Sequence, residues 1–281
     1  MTSDHPLPAG AAEWGRAVLA GREQPVTPRP AATVMLVRPA GTGIEVYLLR
    51  RTRSMAFAPG MHVFPGGGVD PRDAEPLGAA VRWAGPAPAE WGRRLAAPEP
   101  LARALVCAAV RETFEESGVL LAGTPDGRVV ADTRGDDWEA DRLALIDRSL
   151  PFVEFLDRRD LVLRSDLLRP WARWITPVVE PRRYDTRFFA AVLPEGQLTR
   201  DVGGEADQVL WARPADAVAA WRRGEMAMLP PTAVTLGELA RHKSPDAVLA
   251  AEREIVPVEP RAREEDGRIR LVLPEGVDDP V

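Results

Sequence analysis

The residues best able to do chemistry lie in Ala109-Val110-Arg111-Glu112-Thr113-Phe114-Glu115-Glu116-Ser117-Gly118-Val119. On a helix, residues three and four apart are neighbours, so Glu112, Glu115 and Glu116 share one side. Walking back along that side meets Ala108, Leu105 and Leu101, and an apolar stripe turns into three carboxylates. No lysine or arginine stands four residues after any of them, and within the helix only Arg111 can pair, with Glu115. Like charges this close weaken a helix and raise one another's pKa, so they call for a counter-charge from outside. A hard divalent cation, which takes oxygen ligands, would supply it. A solvated acidic face on a surface helix answers the same pattern, and the stretch alone does not separate the two.

Upstream stands His62-Val63-Phe64-Pro65-Gly66-Gly67-Gly68-Val69-Asp70. Glycine costs backbone entropy and contributes no side chain. Three in a row fit a loop tip, or a backbone that must come close to an anion, a metal or the helix itself.

The elements that would position these residues follow from local patterns. Apolar and β-branched content predicts strands at Thr33 to Arg38 and Glu45 to Arg51, the second antiparallel to the first. The helix should start near Pro100 and end at Gly118. Val106, Val110 and Phe114 line its other side, which suits a helix held between layers. A strand is expected to begin at Val119-Leu120-Leu121. Helices are predicted at Pro88 to Ala96, Trp138 to Asp147, Phe152 to Asp157, Pro214 to Arg222, Pro231 to Arg241 and from Ser244. Further strands are predicted at Trp171 to Pro177, Tyr184 to Leu193 and Glu205 to Trp211. The tail reads as a hairpin of Glu254 to Pro257 with Arg268 to Leu273 around Asp266-Gly267. We expect an N-terminal lead-in at 1–30 with a short helix, and one domain at 31–223 with insertions at about 71–100 and 124–170. A C-terminal helical extension and tail should fill 224–281.

Of 281 residues, 45% are apolar, enough for a sizeable core. The net charge of −6 argues against nucleic acid or an acidic membrane surface as partner. The single cysteine, Cys107, permits neither an internal disulfide nor a cysteine-built zinc site and fits a reducing cytoplasm. It lies in an apolar helical segment and reads as a small core residue. No signal peptide, membrane span or C-terminal peroxisomal address is expected.

Gly66-Gly67 with Arg111-Glu112-x-Phe114-Glu115-Glu116-x-Gly118-Val119 resembles the Nudix hydrolase signature. That signature runs Gly, five residues, Glu, seven residues, then Arg-Glu-apolar-x-Glu-Glu-x-Gly-apolar. The second half matches at every fixed position. Gly67 and Arg111 lie 44 positions apart, against about 14 in the compact signature, so an insertion interrupts it. Eight positions before Arg111 stands Arg103, which leaves the first signature glutamate without an evident counterpart. Phe57 to Gly67, Trp174-Ile175-Thr176-Pro177 and Arg183 to Phe189 are similar to the peroxisomal coenzyme A diphosphatase branch and its bacterial relatives. The similarity spans roughly residues 31–240. The compact relatives carry Arg and His where Ala56 and Ala58 stand here.

The resemblance implies an α/β (α+β) fold, an α-β-α sandwich around a mixed sheet with helical insertions. It also implies a metal-dependent diphosphatase acting on coenzyme A or acyl-coenzyme A. Another nucleoside diphosphate derivative, such as ADP-ribose or a dinucleotide, is the enzymatic alternative; an inactive nucleotide-sensing module is the other. Mg²⁺ or Mn²⁺ would sit on Glu112, Glu115, Glu116 and the Gly66 carbonyl, with Arg111 orienting a carboxylate. Glu205, on a Gly203-Gly204 turn, is a candidate base or further ligand against a solvated turn residue; Asp207 is a weaker one. Arg51, Arg183 and Arg187 could hold phosphates or be ordinary strand residues. His62 could touch substrate or be structural, and Phe57 and Trp83 could pack on adenine or pantetheine or simply fill the core. The implied partner is a small nucleotide-type molecule, with no nucleic acid and no membrane, and a homodimer is left open.

Overall fold

Helix α1 (Ala9–Leu19) leads into β1 (Arg29–Ala40) and β2 (Gly43–Arg51), then the short strands β3 (His62–Val63) and β4 (Gly66–Gly68). β5 (Arg82–Ala84) and α2 (Pro88–Leu95) precede the long helix α3 (Glu99–Ser117). β6 (Ala122–Gly123), α4 (Asp136–Ile146), α5 (Phe152–Arg158) and β7 (Val162–Arg164) follow. β8 (Arg169–Ile175), β9 (Tyr184–Val192) and β10 (Ala206–Ala212) lead to α6 (Pro214–Arg222), α7 (Pro230–Leu239) and α8 (Pro245–Leu249). β11 (Pro257–Val258), β12 (Arg261–Glu265) and β13 (Arg268–Val272) close the chain. The structure is a computed structural model and describes residues 9–55, 58–74, 82–200, 206–265 and 268–277.

The main sheet runs β10-β2-β1-β9-β8-β11, with β3 beside β2 and β4 beside β1. β1 is antiparallel to β2 and parallel to β9, so the sheet is mixed. Side chains alternate between the faces of a strand, and here both faces are covered. Val34 and Leu36 of β1, Tyr47 and Leu49 of β2 and Phe189 of β9 pack against Leu105, Val106 and Val110 of α3. Met35, Val37, Val46, Leu48 and Phe188 face the other way, onto Val218 of α6, Leu236 and Leu239 of α7 and Val248 of α8. The expected α-β-α sandwich is present. Residues 224–281 supply two helices of its second outer layer.

α3 is buried on nearly every side along its first half, as its two apolar stripes predict. Its far side is covered by the second insertion, where Phe114 stacks on Phe155 at 5.4 Å and meets Trp138 edge-on at 6.3 Å. Arg142 of α4, almost fully buried, donates to the Glu115 carbonyl at 2.7 Å. It thereby satisfies one of the orphan acceptors at the end of α3. Gly118 ends the helix at φ +73, a left-handed position suited to glycine.

The two insertions meet in a sheet of their own, ordered β5-β7-β6. Trp83 sits in it as a packing residue, with Nε1 donating to Pro86 O at 2.7 Å. Val119 to Leu121, expected to begin a strand, does not. The Gln197 side chain accepts from Leu120 N at 2.8 Å and donates to Leu120 O at 2.9 Å, satisfying the backbone where a neighbouring strand would. The tail hairpin forms from β12 and β13, and its first strand begins later than the predicted Glu254 to Pro257. Asp266 and Gly267 lie outside the described residues. No helix among the described residues is long and apolar enough to cross a membrane.

Candidate active site

The glycines are strand β4, laid antiparallel on β1 so that Gly67 pairs with Ala32 and Gly66 with Thr33. Gly67 approaches the helix itself, whereas Gly66 approaches the neighbouring strand β1. A Cβ on Gly67 would lie 2.6 Å from the Glu112 carboxyl carbon, and one on Gly66 would lie 2.4 Å from Ala32 O. These two clashes differ in kind. Gly67→Ala is expected to push the flexible end of Glu112 aside, losing turnover at little cost in stability. Gly66→Ala meets backbone and should destabilise the fold by about 1–3 kcal/mol. Paired unfolding and activity assays check both; equal stability losses would contradict this division.

The sheet brings Gly66, Arg111, Glu112, Glu115 and Glu116 together. Gly66 N donates to Glu116 Oε2 at 2.8 Å. Arg111 Nη1 donates to Glu112 Oε1 at 2.8 Å and to Glu115 Oε1 at 3.1 Å, while Nη2 reaches Gly68 O at 3.1 Å. The remaining face of the guanidinium is taken by Asp73, a residue the sequence reading passed over. Nε and Nη2 of Arg111 grip its two oxygens at 3.1 and 2.9 Å. Asp73 is 2% exposed and also accepts from Asp70 N at 2.8 Å.

Asp73 corrects the count that put Arg103 in the place of the signature's first glutamate. Six positions after Gly67 is Asp73, the spacing from signature glycine to first glutamate. The interruption therefore lies between Asp73 and the helix. Counting forward from the glycine rather than back from Arg111 would have found it. Arg103 instead makes a 3.7 Å ion pair with Glu99.

Burial pushes Glu112 up to about 7 and Glu115 in the same direction, with Arg111 opposing in both cases. A folded pKa above the ordinary 4.5 gives stability below that pH which is lost as pH rises through about 7. In chelator, wild type should therefore lose stability relative to Glu112→Gln over that window. Urea unfolding across it is the check, and a gap that does not change with pH would contradict the burial.

The donor set suits a hard cation by type, since carboxylate oxygens are its preferred ligands. Asp70, Asp73, Glu112, Glu115 and Glu116 face Arg72, Arg111 and Arg148, which leaves this group two charges negative. The carboxylates are not a preformed cage: Glu112 and Glu115 turn to Arg111, Glu116 turns to Gly66, and no three such side chains among the described residues converge on a point.

The other candidates are placed elsewhere in the fold. Arg183 is 7% exposed and committed to Thr176 O, Val26 O and Glu259, tying the start of the chain to its tail. Arg187 is 1% exposed, with Nη1 2.6 Å from Asp185 Oδ2, although neither Nε nor Nη1 makes an aligned hydrogen bond. Both carry structural ion pairs, where either phosphate binding or an ordinary strand position was expected. His62 is buried, with Nδ1 3.3 Å from Ala227 O, and burial lowers its pKa. It lines a cavity of about 520 Å³ with Arg50, Arg53, Gly60 and Asp207. Arg51 ends β2 half-buried, its amide donating to Met61 O at 2.9 Å. Asp207 pairs with Arg50 at 2.6 Å. Phe57 and Glu205 lie outside the described residues.

Comparison with known proteins adds to this geometry. The NUDT19 Nudix domain family matches residues 80–241. The acyl-coenzyme A diphosphatase NUDT19 of Homo sapiens is 28% identical over 276 residues, covering 85% of this chain and 72% of that protein. The Gallus gallus protein of the same name is 29% identical, covering 71% of this chain and 62% of its own length, less than two thirds. A solved Nudix hydrolase from Alicyclobacillus acidocaldarius superposes with a TM-score of 0.70 at 29% identity, over 82% of this chain and 98% of that one.

Proposed function

The chain belongs to the NUDT19 branch of the Nudix hydrolases, and on that premise we propose that it is a metal-dependent diphosphatase of coenzyme A or acyl-coenzyme A. The products would be 3′,5′-ADP and phosphopantetheine or its acyl form. The observation that carries this reading is the gathering of Glu112, Glu115 and Glu116 on one face of α3 against the Gly66-Gly67 backbone. The substrate follows from the activity named for the human and chicken relatives.

Glu112, Glu115 and Glu116, with the Gly66 carbonyl, would hold Mg²⁺ or Mn²⁺. Such an ion neutralises charge on the diphosphate oxygens and activates water near neutral pH. Arg111 holds Glu112 and Glu115 at fixed positions, and Asp73 fixes Arg111 in turn. Glu205 remains the proposed base. A cytoplasmic setting accords with the lone buried thiol of Cys107.

The test is product analysis by mass spectrometry, in Mg²⁺ and in Mn²⁺, with coenzyme A, ADP-ribose, NADH and dinucleoside polyphosphates. Release of 3′,5′-ADP from coenzyme A at the highest kcat/KM supports the reading. Preference for another of these compounds would move the substrate and keep the chemistry. No turnover of any of them, with metal bound, would favour a nucleotide-sensing module.

A further inference from the structure

The second insertion sets one arginine at the rim of the carboxylate group. Arg148 follows α4 at φ +63, a left-handed conformation ordinarily left to glycine or asparagine. Its main chain is held from both sides. Arg148 N donates to Leu145 O at 3.0 Å, and Arg72 Nη1 donates to Arg148 O at 2.9 Å. Arg72 is itself locked on Asp70 through Nε and Nη2, each at 3.0 Å. The Arg148 side chain, by contrast, is 77% exposed. Its ion-pair contact, Nε to Asp70 Oδ2, is 4.0 Å, too long for a hydrogen bond and worth little in water. Arg148 also acts through space on Glu115, opposing the upward pull of burial on that carboxyl.

The left-handed turn closes α4, and together with the bond from Arg72 it fixes where the solvent-open charge is presented, beside the carboxylate group. A guanidinium fork matches two oxygens of a phosphate. On the diphosphatase reading the diphosphate would lie against the nearby carboxylates and the cation they would hold. We propose that Arg148 is a substrate-positioning residue that clamps a phosphate of a nucleoside diphosphate-type ligand lying against the Glu112, Glu115 and Glu116 face. This rests on the diphosphatase reading for the identity of the ligand, and it gives the second insertion a part in substrate selection.

Arg148→Gly decides between a clamp and a structural residue, because glycine relieves the backbone while removing the guanidinium. ADP binding in Mg²⁺ is measured by calorimetry on the full chain, beside thermal unfolding and coenzyme A kinetics. The variant should unfold at the same temperature or higher and bind ADP at least about tenfold more weakly, as loss of a charge-assisted bond pair requires. The kinetic loss should fall on KM more than on kcat. Arg148→Lys, which keeps the charge without the fork, should fall between. Unchanged ADP affinity in Arg148→Gly, or a wild-type chain that does not bind ADP, overturns the proposal. Wild type that binds ADP but hydrolyses no diphosphate removes the diphosphatase reading and leaves the Arg148 comparison decisive.

Discussion

Glu115→Gln and Glu116→Gln are each expected to lower coenzyme A turnover in Mg²⁺ by roughly 10²–10³-fold, the scale of losing one charge-stabilising group. Neither should unfold the protein. A glutamine oxygen can still accept from Arg111 Nη1 at position 115 and from Gly66 N at position 116, where the bonds are 3.1 and 2.8 Å. What disappears is the negative charge. Burial already disfavours that charge at Glu115, so the metal-free Glu115→Gln variant should melt at or above the wild-type temperature. The gain in melting temperature on adding Mg²⁺ should shrink in both. If both variants retained turnover within about threefold of wild type, the assignment of these carboxylates to metal would be wrong.

The second large effect falls on stability. Asp73→Ala removes the partner of two guanidinium donors and of the Asp70 amide in one step. Breaking a buried pair from one side costs about 3–5 kcal/mol. The lower end is expected here, because Glu112 and Glu115 still face Arg111. Asp73→Asn keeps an acceptor and should cost less. Turnover should fall as well, since Arg111, released on one side, is drawn further onto Glu112 and Glu115, the carboxylates proposed to hold metal. Urea unfolding in chelator measures the first effect and steady-state kinetics the second. A stability loss under about 1 kcal/mol would show that Asp73 does not hold Arg111.

Both expectations depend on a helix whose acidic face was legible from its own spacing and a partner that only a count forward from the glycines reaches. The i, i+3, i+4 spacing put Glu112, Glu115 and Glu116 on one side of α3, and helical geometry left no other arrangement. Arg111→Glu115 pairing was visible for the same reason. Asp73 is 38 residues from Arg111, beyond the reach of any periodicity, and only the packing of β4 and its following turn against α3 joins them. The strands of the sandwich were legible because a strand covered on both faces reads as a near-continuous run of apolar and β-branched residues, visible in each strand separately. Val119 to Leu121 was misread because a single side chain, Gln197, replaces the neighbouring strand, and a long-range hydrogen bond has no local signal.

The arginines show the same boundary. Arg183 and Arg187 carry the residue type that binds phosphate, and type and strand position were all the sequence offered. The tertiary structure surrounds them with Thr176, Val26, Glu259 and Asp185 and turns them to holding the fold. Arg148 had no feature to recommend it, and its place at the rim is made by the fold of the second insertion and the bond from Arg72. The sequence by itself determined the acidic face, a local spacing imposed by helical geometry, and pointed to the family and its sandwich through the signature it resembles. The tertiary structure alone decided which arginines are buried in ion pairs and which stands open beside the acid face. It also decided what holds Arg111, because burial and partnership come from segments the chain brings together only on folding.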